Sequence, residues 1–158
     1  MPRVAPLCPA PSSRLQAVAA VRVLYADTDK MGIVYHGSYL RYLEMARVEC
    51  IRQAGVPYTE LEDEGLALPV SDLAVRYHAP ALYDDRMTLE VGLSMVTPAR
   101  VHFDYRIVVL AGDRRGLSAD LDILVAQTRH ACIVVGEGRP RALPERVFDV
   151  LRARVTSP

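Results

Sequence analysis

Residues 27–36 read DTDKMGIVYH and stand directly before the longest helical pattern in the chain. A carboxylate and a glycine turn therefore come just ahead of a helix N-terminus. The first N–H groups of a helix have no intrahelical partner and lie at the positive end of its dipole, so they stabilise negative charge on an oxygen. An acid beside such a terminus can act on a carbonyl group, which makes Asp29 the candidate base or nucleophile.

The helix itself is predicted over residues 37–54. Gly55, followed by Pro57, is typical of a helix stop. The apolar positions recur at helical spacing and form one wide face, which comprises Tyr39, Tyr42, Leu43, Ala46, Cys50, Ile51 and Ala54. A strand is predicted before the motif, over residues 21–26.

After residue 66 the apolar period changes from helical to two, which is typical of strands with one buried face. Three strands are predicted with their odd-numbered apolar positions on one side, over residues 86–96, 100–110 and 120–135. His102 and His130 fall at positions that should face away from these rows, and we expect no catalytic role for them. A short closing helix is predicted over residues 145–153.

This order of elements, one strand, one long helix and about four further strands, describes an antiparallel sheet wrapped on one helix. The fold class is α+β rather than parallel α/β. About five strands at ~4.8 Å spacing make a sheet roughly 24 Å wide, whereas a helix with its side chains is ~10–12 Å across. One helix cannot cover that sheet, so we expect at least a dimer.

The chain has 158 residues, and a hydrophobic content of 51% is ample for a single core. Residues 1–18, with prolines that break any apolar run, are predicted to be a disordered lead-in, and residues 19–158 a single domain. Lys+Arg and Asp+Glu both number 19, so the chain has no excess of positive charge. This gives no reason to expect the basic surface stripe that a nucleic-acid-binding protein needs. No run approaches the ~18 apolar residues of a membrane span, and we expect a cytoplasmic protein.

The residues offer little for other chemistries. The three cysteines are too far apart for a disulfide framework or a zinc site: Cys8, Cys50 and Cys132. Four carboxylates provide an alternative, a site for a hard cation: Asp27, Asp29, Asp84 and Asp85. The last two lie in a turn, where aspartate is common for local reasons, so we expect neither a metal nor a bound cofactor.

Residues 25–36, together with the helix positions Tyr39, Tyr42, Glu44, Ala46 and Arg47, resemble the signature of hotdog-fold acyl-CoA thioesterases. The similarity is closest to the 4-hydroxybenzoyl-CoA thioesterase family, including its tol-pal-associated branch. Residues 77–85, YHAPALYDD, resemble that family's turn before its third strand. The resemblance covers roughly residues 21–135 and implies a hotdog fold, in which about five strands wrap around one long central helix.

By this resemblance Asp29 attacks the thioester or activates water, and the sequence leaves both routes open. The backbone N–H of His36 is the implied oxyanion donor, in agreement with the helix-terminus argument above. Tyr35, Tyr39 and Arg100 are the implied substrate contacts. The implied substrate is an acyl-CoA, a small molecule whose acyl length the sequence leaves open, so coenzyme A is part of the substrate. The implied assembly is a homodimer or homotetramer with sites between subunits.

One departure concerns the carrier of the acyl group. Some family members bind the coenzyme A phosphates with a basic cluster in the turn that matches residues 96–100, where this chain keeps only Arg100. An acyl carrier protein is therefore an alternative carrier. The rival from another class is a hotdog protein that binds acyl-CoA without turnover, but that rival usually lacks the acid or carries a DNA-binding helix pair.

Overall fold

The computed structural model describes Cys8 and residues 10–155. Its strands are β1 (Gln16–Arg22), β2 (Leu66–Ala67), β3 (Val70–Tyr77), β4 (Arg86–Thr97), β5 (Arg100–Val109), β6 (Leu121–Ala131) and β7 (Ile133–Val134). Its α-helices are α1 (Tyr39–Gln53), α2 (Tyr58–Asp63) and α3 (Glu145–Arg152). None of the helices in these residues is both long and apolar enough to cross a membrane.

Five strands form one antiparallel sheet in the order β1-β4-β5-β6-β3, and β2 pairs with β7 in a small second sheet. The observed bounds of β4 and β5 match the predicted ones closely. The odd-numbered apolar side chains are buried as predicted through all of β5 and in β4 as far as Leu93, where a register shift before Met95 leaves Met95 half-buried and buries Val96 instead. Helix α1 packs over β4 and β1. The core therefore lies between one face of the sheet and the apolar face of α1.

The start of the helix differs from the prediction. Residues 37–54 are not one unbroken helix: a 3₁₀ turn over His36–Ser38 comes first, and α1 has 15 residues from Tyr39. The ring of Tyr35 packs on Gly37 in this turn, and a Cβ added at Gly37 would lie 2.7 Å from it, so the packing leaves room only for glycine. The closing helix α3 follows Pro144, as predicted.

The first strand was also misplaced. β1 runs over Gln16–Arg22 instead of residues 21–26, because Tyr25–Asp27 fold into a 3₁₀ turn. Of the predicted lead-in, residues 1–7 and 9 lie outside the described residues. Its described part is packed on the sheet: the backbone N–H groups of Ser12 and Ser13 donate to the carboxylate of Asp104, at 2.7 and 3.0 Å.

The inward face of β6 is the opposite of the predicted one over most of its length. Its buried residues are Ile123, Leu124, Ala126, Thr128 and His130. A register irregularity between Ile107 and Val108 in the β5–β6 pairing shifts the alternation by one residue. The predicted strand over residues 120–135 is also divided at Cys132, whose N–H donates to the carbonyl of Ala99 at 2.9 Å. His130, expected outside, is therefore inside.

Buried His130 forms the end of a chain of hydrogen bonds. Its Nδ1 lies 2.9 Å from the Leu68 carbonyl oxygen, and its Nε2 lies 2.8 Å from Thr128 Oγ1. Burial lowers the pKa of His130 to about 4, so the ring is neutral. Since a carbonyl only accepts, Nδ1 carries the proton and Nε2 accepts from the Thr128 hydroxyl. The Tyr105 hydroxyl, 2.8 Å from Thr128 Oγ1, must then donate to it.

We predict that His130 makes the protein less stable in mild acid. In the unfolded chain the ring takes up a proton below its ordinary pKa of 6.5, whereas the folded ring resists until about pH 4. The free energy of unfolding should therefore fall as pH drops through this window, by roughly 3 kcal/mol at most. Urea unfolding at a series of pH values should show a shallower slope for His130→Gln than for the native chain, and equal slopes would contradict the assignment.

Candidate active site

The loop before α1 is organised around the buried side chain of Asp27. Its carboxylate accepts hydrogen bonds from the Leu24 N–H at 3.0 Å and from the Tyr42 hydroxyl at 2.5 Å, and it pairs with Arg41. Burial, together with the bond to Asp27, raises the pKa of Tyr42, so this hydroxyl stays a donor. The Asp27 carbonyl in turn accepts from the Tyr35 N–H at 2.9 Å. Both ends of the loop are thereby fixed to the start of α1.

Asp29 lies in the middle of this loop and is only half-buried. The Met31 N–H donates to Asp29 Oδ1 at 2.8 Å, and the Gly32 N–H donates to the Asp29 carbonyl at 2.9 Å. Gly32 has a φ of +75°, a conformation that favours glycine. The other carboxylate oxygen, Oδ2, forms no hydrogen bond within the described part of the chain. A local turn therefore holds Asp29 by one oxygen and leaves the second available.

The helix start supplies unused donors. The Tyr35 N–H donates to Asp27, and the Ser38 N–H donates to the Tyr35 carbonyl at 2.8 Å. Between them, the N–H groups of His36 and Gly37 form no hydrogen bond to any residue that the structure describes. The His36 carbonyl accepts from the Tyr77 hydroxyl at 2.9 Å, which fixes this backbone segment. Two N–H groups without acceptors at the start of a helix can stabilise negative charge on an oxygen.

A cavity of about 300 Å³ joins these groups. It is lined by Asp29, Met31, Ile33, Val34, His36, Tyr39, Tyr77, His78, Ala79 and Pro80. Of the predicted site residues, Asp29, His36 and Tyr39 therefore meet here. Tyr35 stacks on the His36 ring, with centroids 4.3 Å apart, and is outside the lining. Burial raises the pKa of both Tyr39 and Tyr77, so the two phenols are neutral walls.

Arg100 is not near this cavity in one chain. It opens β5, whereas Tyr77 is paired with Leu124, which pairs with Ile107 near the other end of β5. Arg100 thus lies about seven residues, or roughly 23 Å, further along the sheet than the level of Tyr77. Tyr77 and His78 were not predicted as site residues. The sequence signal was present, because residues 77–85 matched a family turn, but the match did not show that the turn faces Asp29.

Comparison with known proteins identifies the family. The family model described as the Thioesterase-like superfamily matches residues 23–153. The chain belongs to this superfamily. A similar protein, the acyl-CoA thioesterase YbgC of Haemophilus influenzae, is 35% identical over 128 residues, which cover 80% of this chain and 88% of that protein.

Solved structures show the same fold as this thioesterase-like chain. A hypothetical protein from Thermus thermophilus superposes with a TM-score of 0.76 at 32% identity, covering 88% of this chain and 99% of that one. The DHNA-CoA thioesterase of Staphylococcus aureus superposes with a TM-score of 0.74 at 27% identity, covering 87% of each chain. The predicted resemblance to thioesterases and the predicted antiparallel sheet of five strands are confirmed, and by family the protein is a thioester hydrolase.

Three of the four carboxylates of the alternative cation site pair with arginines in this thioesterase-like fold. Asp85 is buried and pairs with Arg114 at 2.5 Å, Asp84 pairs with Arg22 at 3.2 Å, and Asp27 pairs with Arg41. Within residues 10–155 and Cys8, no three His, Cys, Asp or Glu side chains come together as metal ligands.

The two aspartates of the motif should differ in their effect on stability. We predict that Asp27→Asn lowers the free energy of unfolding by about 3 kcal/mol, because an amide cannot accept all the bonds that the buried carboxylate accepts. Asp29→Asn should change it by less than about 0.5 kcal/mol, since that side chain is half-exposed and the amide oxygen can still accept from Met31. Urea unfolding measures both, and equal losses would refute the division of roles.

Proposed function

We propose that the protein is an acyl-CoA thioesterase that hydrolyses a thioester to a free acid and coenzyme A. One observation carries the proposal: a single cavity is lined both by Asp29, whose Oδ2 has no hydrogen bond among the described residues, and by His36, whose N–H is likewise unused. The first can attack or deprotonate, and the second can stabilise an oxyanion. The thioesterase activities named for the related proteins support the same reaction.

In the proposed reaction the thioester carbonyl oxygen accepts a hydrogen bond from the His36 N–H. By one route Asp29 attacks the carbonyl carbon, the thiolate of coenzyme A leaves, and water hydrolyses the resulting anhydride. By the other route Asp29 removes a proton from water while that water attacks the same carbon. In both routes the negative charge that develops on the oxygen is stabilised at the helix start, where backbone dipoles are already oriented.

The substrate contacts follow from the same cavity. Tyr39 forms part of its wall, and Tyr35 supports the position of His36 through their stacked rings. The reaction as proposed uses no metal and no bound cofactor, since coenzyme A is part of the substrate. The spacing of the three cysteines in the sequence indicates no disulfide framework, and we propose that the reaction takes place in the cytoplasm.

The proposed assembly is a homodimer or a dimer of dimers, with the sheet wrapping around α1 as in other hotdog proteins. Strand β3 is an edge of the sheet, and its outer side pairs with no strand among the described residues. Exposed apolar side chains lie on α1, on β3 and beside the site: Leu40, Met45, Val70, Leu73, Tyr77 and Leu82. Antiparallel pairing of two β3 strands would cover them and would bring the Arg100 end of one sheet toward the Asp29 cavity of the other.

The first test of this function is the loss of turnover in Asp29→Asn. The amide can neither accept the proton nor attack as a comparable nucleophile, so we predict a fall in kcat of at least about 100-fold. Steady-state hydrolysis of an acyl-CoA, followed by thiol release, measures it. Asp63→Asn, which changes an exposed carboxylate on α2, is the matched control and should keep its activity. A folded Asp29→Asn enzyme with native turnover would remove the mechanism.

A second test concerns the carrier. If Arg100 of the partner subunit binds a coenzyme A phosphate, Arg100→Ala should raise KM about tenfold and change kcat little, because the phosphates are bound alike in ground and transition states. The effect should shrink with added salt. Arg152→Ala, on α3, is the control for loss of one exposed arginine.

A thioester that lacks the nucleotide separates contact with the carrier from an effect on folding. Such a substrate should be hydrolysed equally by the native and the Arg100→Ala enzymes. An equal loss on both substrates would show that Arg100 acts through the fold or the subunit contact, and the phosphate role would be withdrawn.

A further inference from the structure

A second cavity, of about 270 Å³, lies beside α1. It is lined by Leu40, Leu43, Glu44, Arg47, Val70, Leu73, Tyr105 and Thr128. Most of these side chains come from α1 and β3, the same two elements that contribute Tyr39 and Tyr77 to the Asp29 cavity. Both cavities therefore lie beside the same helix and the same edge strand.

The second cavity lies further along α1 and β3 than the first. Leu43 follows Tyr39 by one helical turn, and Leu73 and Tyr77 are on the same side of β3. From Tyr39 to Arg47 the helix α1 rises roughly 12 Å, and a helical side chain points back toward the N-terminus. An acyl chain of medium length that has its carbonyl at His36 and follows α1 would therefore reach the level of the Arg47 side chain.

Arg47 has an unusual environment at this second cavity. The residue is 9% exposed, and its Nη1 has no hydrogen-bond partner among the described residues. Its Nη2 is 4.0 Å from the carboxylate of Glu44, at the limit of an ion pair, and that carboxylate is largely exposed to solvent. The guanidinium lies 5.7 Å from the Tyr58 ring, which holds its position. A buried charged donor without an acceptor is strongly unfavourable.

The neighbouring hydroxyl groups do not remove the mismatch between the Arg47 donor and its missing acceptor. The Tyr105 hydroxyl donates to Thr128, and the Thr128 hydroxyl donates to neutral His130, so both protons are used. Among the described residues around the cavity, the unmatched polar group is therefore a cationic donor. A methyl end placed against it would leave the donor unpaired, whereas an oxygen acceptor would satisfy it.

We propose, on the basis of the thioesterase function above, that Arg47 selects acyl groups that carry an acceptor oxygen at their far end, with a carboxylate preferred. Nη1 itself is buried, so a turn of the guanidinium toward the cavity that Arg47 lines would bring its donors to the ligand. A carboxylate there both accepts from the guanidinium and neutralises its charge. Glu44 does not prevent this, because its exposed carboxylate can turn to solvent. Arg47 is then a specificity residue that contacts the substrate and takes no part in the chemical step.

The test compares octanoyl-CoA with suberoyl-CoA, its counterpart that ends in a carboxylate. The native enzyme should have the higher kcat/KM for suberoyl-CoA. Arg47→Met keeps the side-chain volume and removes the unpaired charge, so it should fold. It should lose about tenfold in kcat/KM on suberoyl-CoA and nothing on octanoyl-CoA, which reverses the preference. Arg47→Lys should restore part of the suberoyl preference, since it restores the charge without the planar donor pair.

Other outcomes overturn the proposal in distinguishable ways. Equal losses on both substrates, or a native enzyme without preference, would show that Arg47 is structural. A change of oligomeric state in Arg47→Met without a change of preference, measured by light scattering, would make it an interface residue. If no acyl-CoA is hydrolysed, the thioesterase proposal fails by itself. Thermal protection by suberic acid over octanoic acid, lost in Arg47→Met, would then still support the binding site, and its absence would refute it.

Discussion

The buried carboxylate of Asp27 is the interaction on which the geometry of the candidate site depends. The carboxylate accepts from the Leu24 N–H on one side of the loop and from the Tyr42 hydroxyl on α1. The backbone carbonyl of Asp27 accepts from the Tyr35 N–H, just before the 3₁₀ turn. The loop therefore cannot move relative to the helix without exposing unpaired buried groups. Asp29 is two residues after Asp27, and His36, with its unused N–H, is the residue after Tyr35. The buried Asp27 carboxylate therefore sets the position of both Asp29 and His36.

Burial separates the roles of two identical side chains in this motif. Asp27 is 1% exposed and fully engaged, whereas Asp29 faces a cavity and has one oxygen bonded to Met31. Residues two apart in a strand would face the same side, but the 3₁₀ turn at Tyr25–Asp27 breaks the alternation. A carboxylate that supports the loop and a carboxylate that can react thus come from the same short stretch.

The sequence predicted most of what depends on local pattern. Strict alternation placed β4 and β5, apolar periodicity placed α1, and the motif pointed to Asp29 and His36, which the structure brings to one cavity. The errors came from distant contacts. The start of β1 depends on pairing with β4, and the inward face of β6 depends on an irregularity opposite Ile107. Neither partner can be recognised from the local residues, and the same holds for Tyr77 in the cavity wall.

His130 and Arg47 show two outcomes for a basic side chain in nearly the same interior. Burial lowers the pKa of His130, so the imidazole becomes neutral and its two nitrogens are satisfied by Leu68 and Thr128. A guanidinium cannot lose its proton in a protein, so Arg47 stays charged however deeply it is buried. For His130 the chain itself provides both hydrogen-bond partners. For Arg47 no described residue offers Nη1 an acceptor, and the side chain lines a cavity in which a ligand oxygen would provide one.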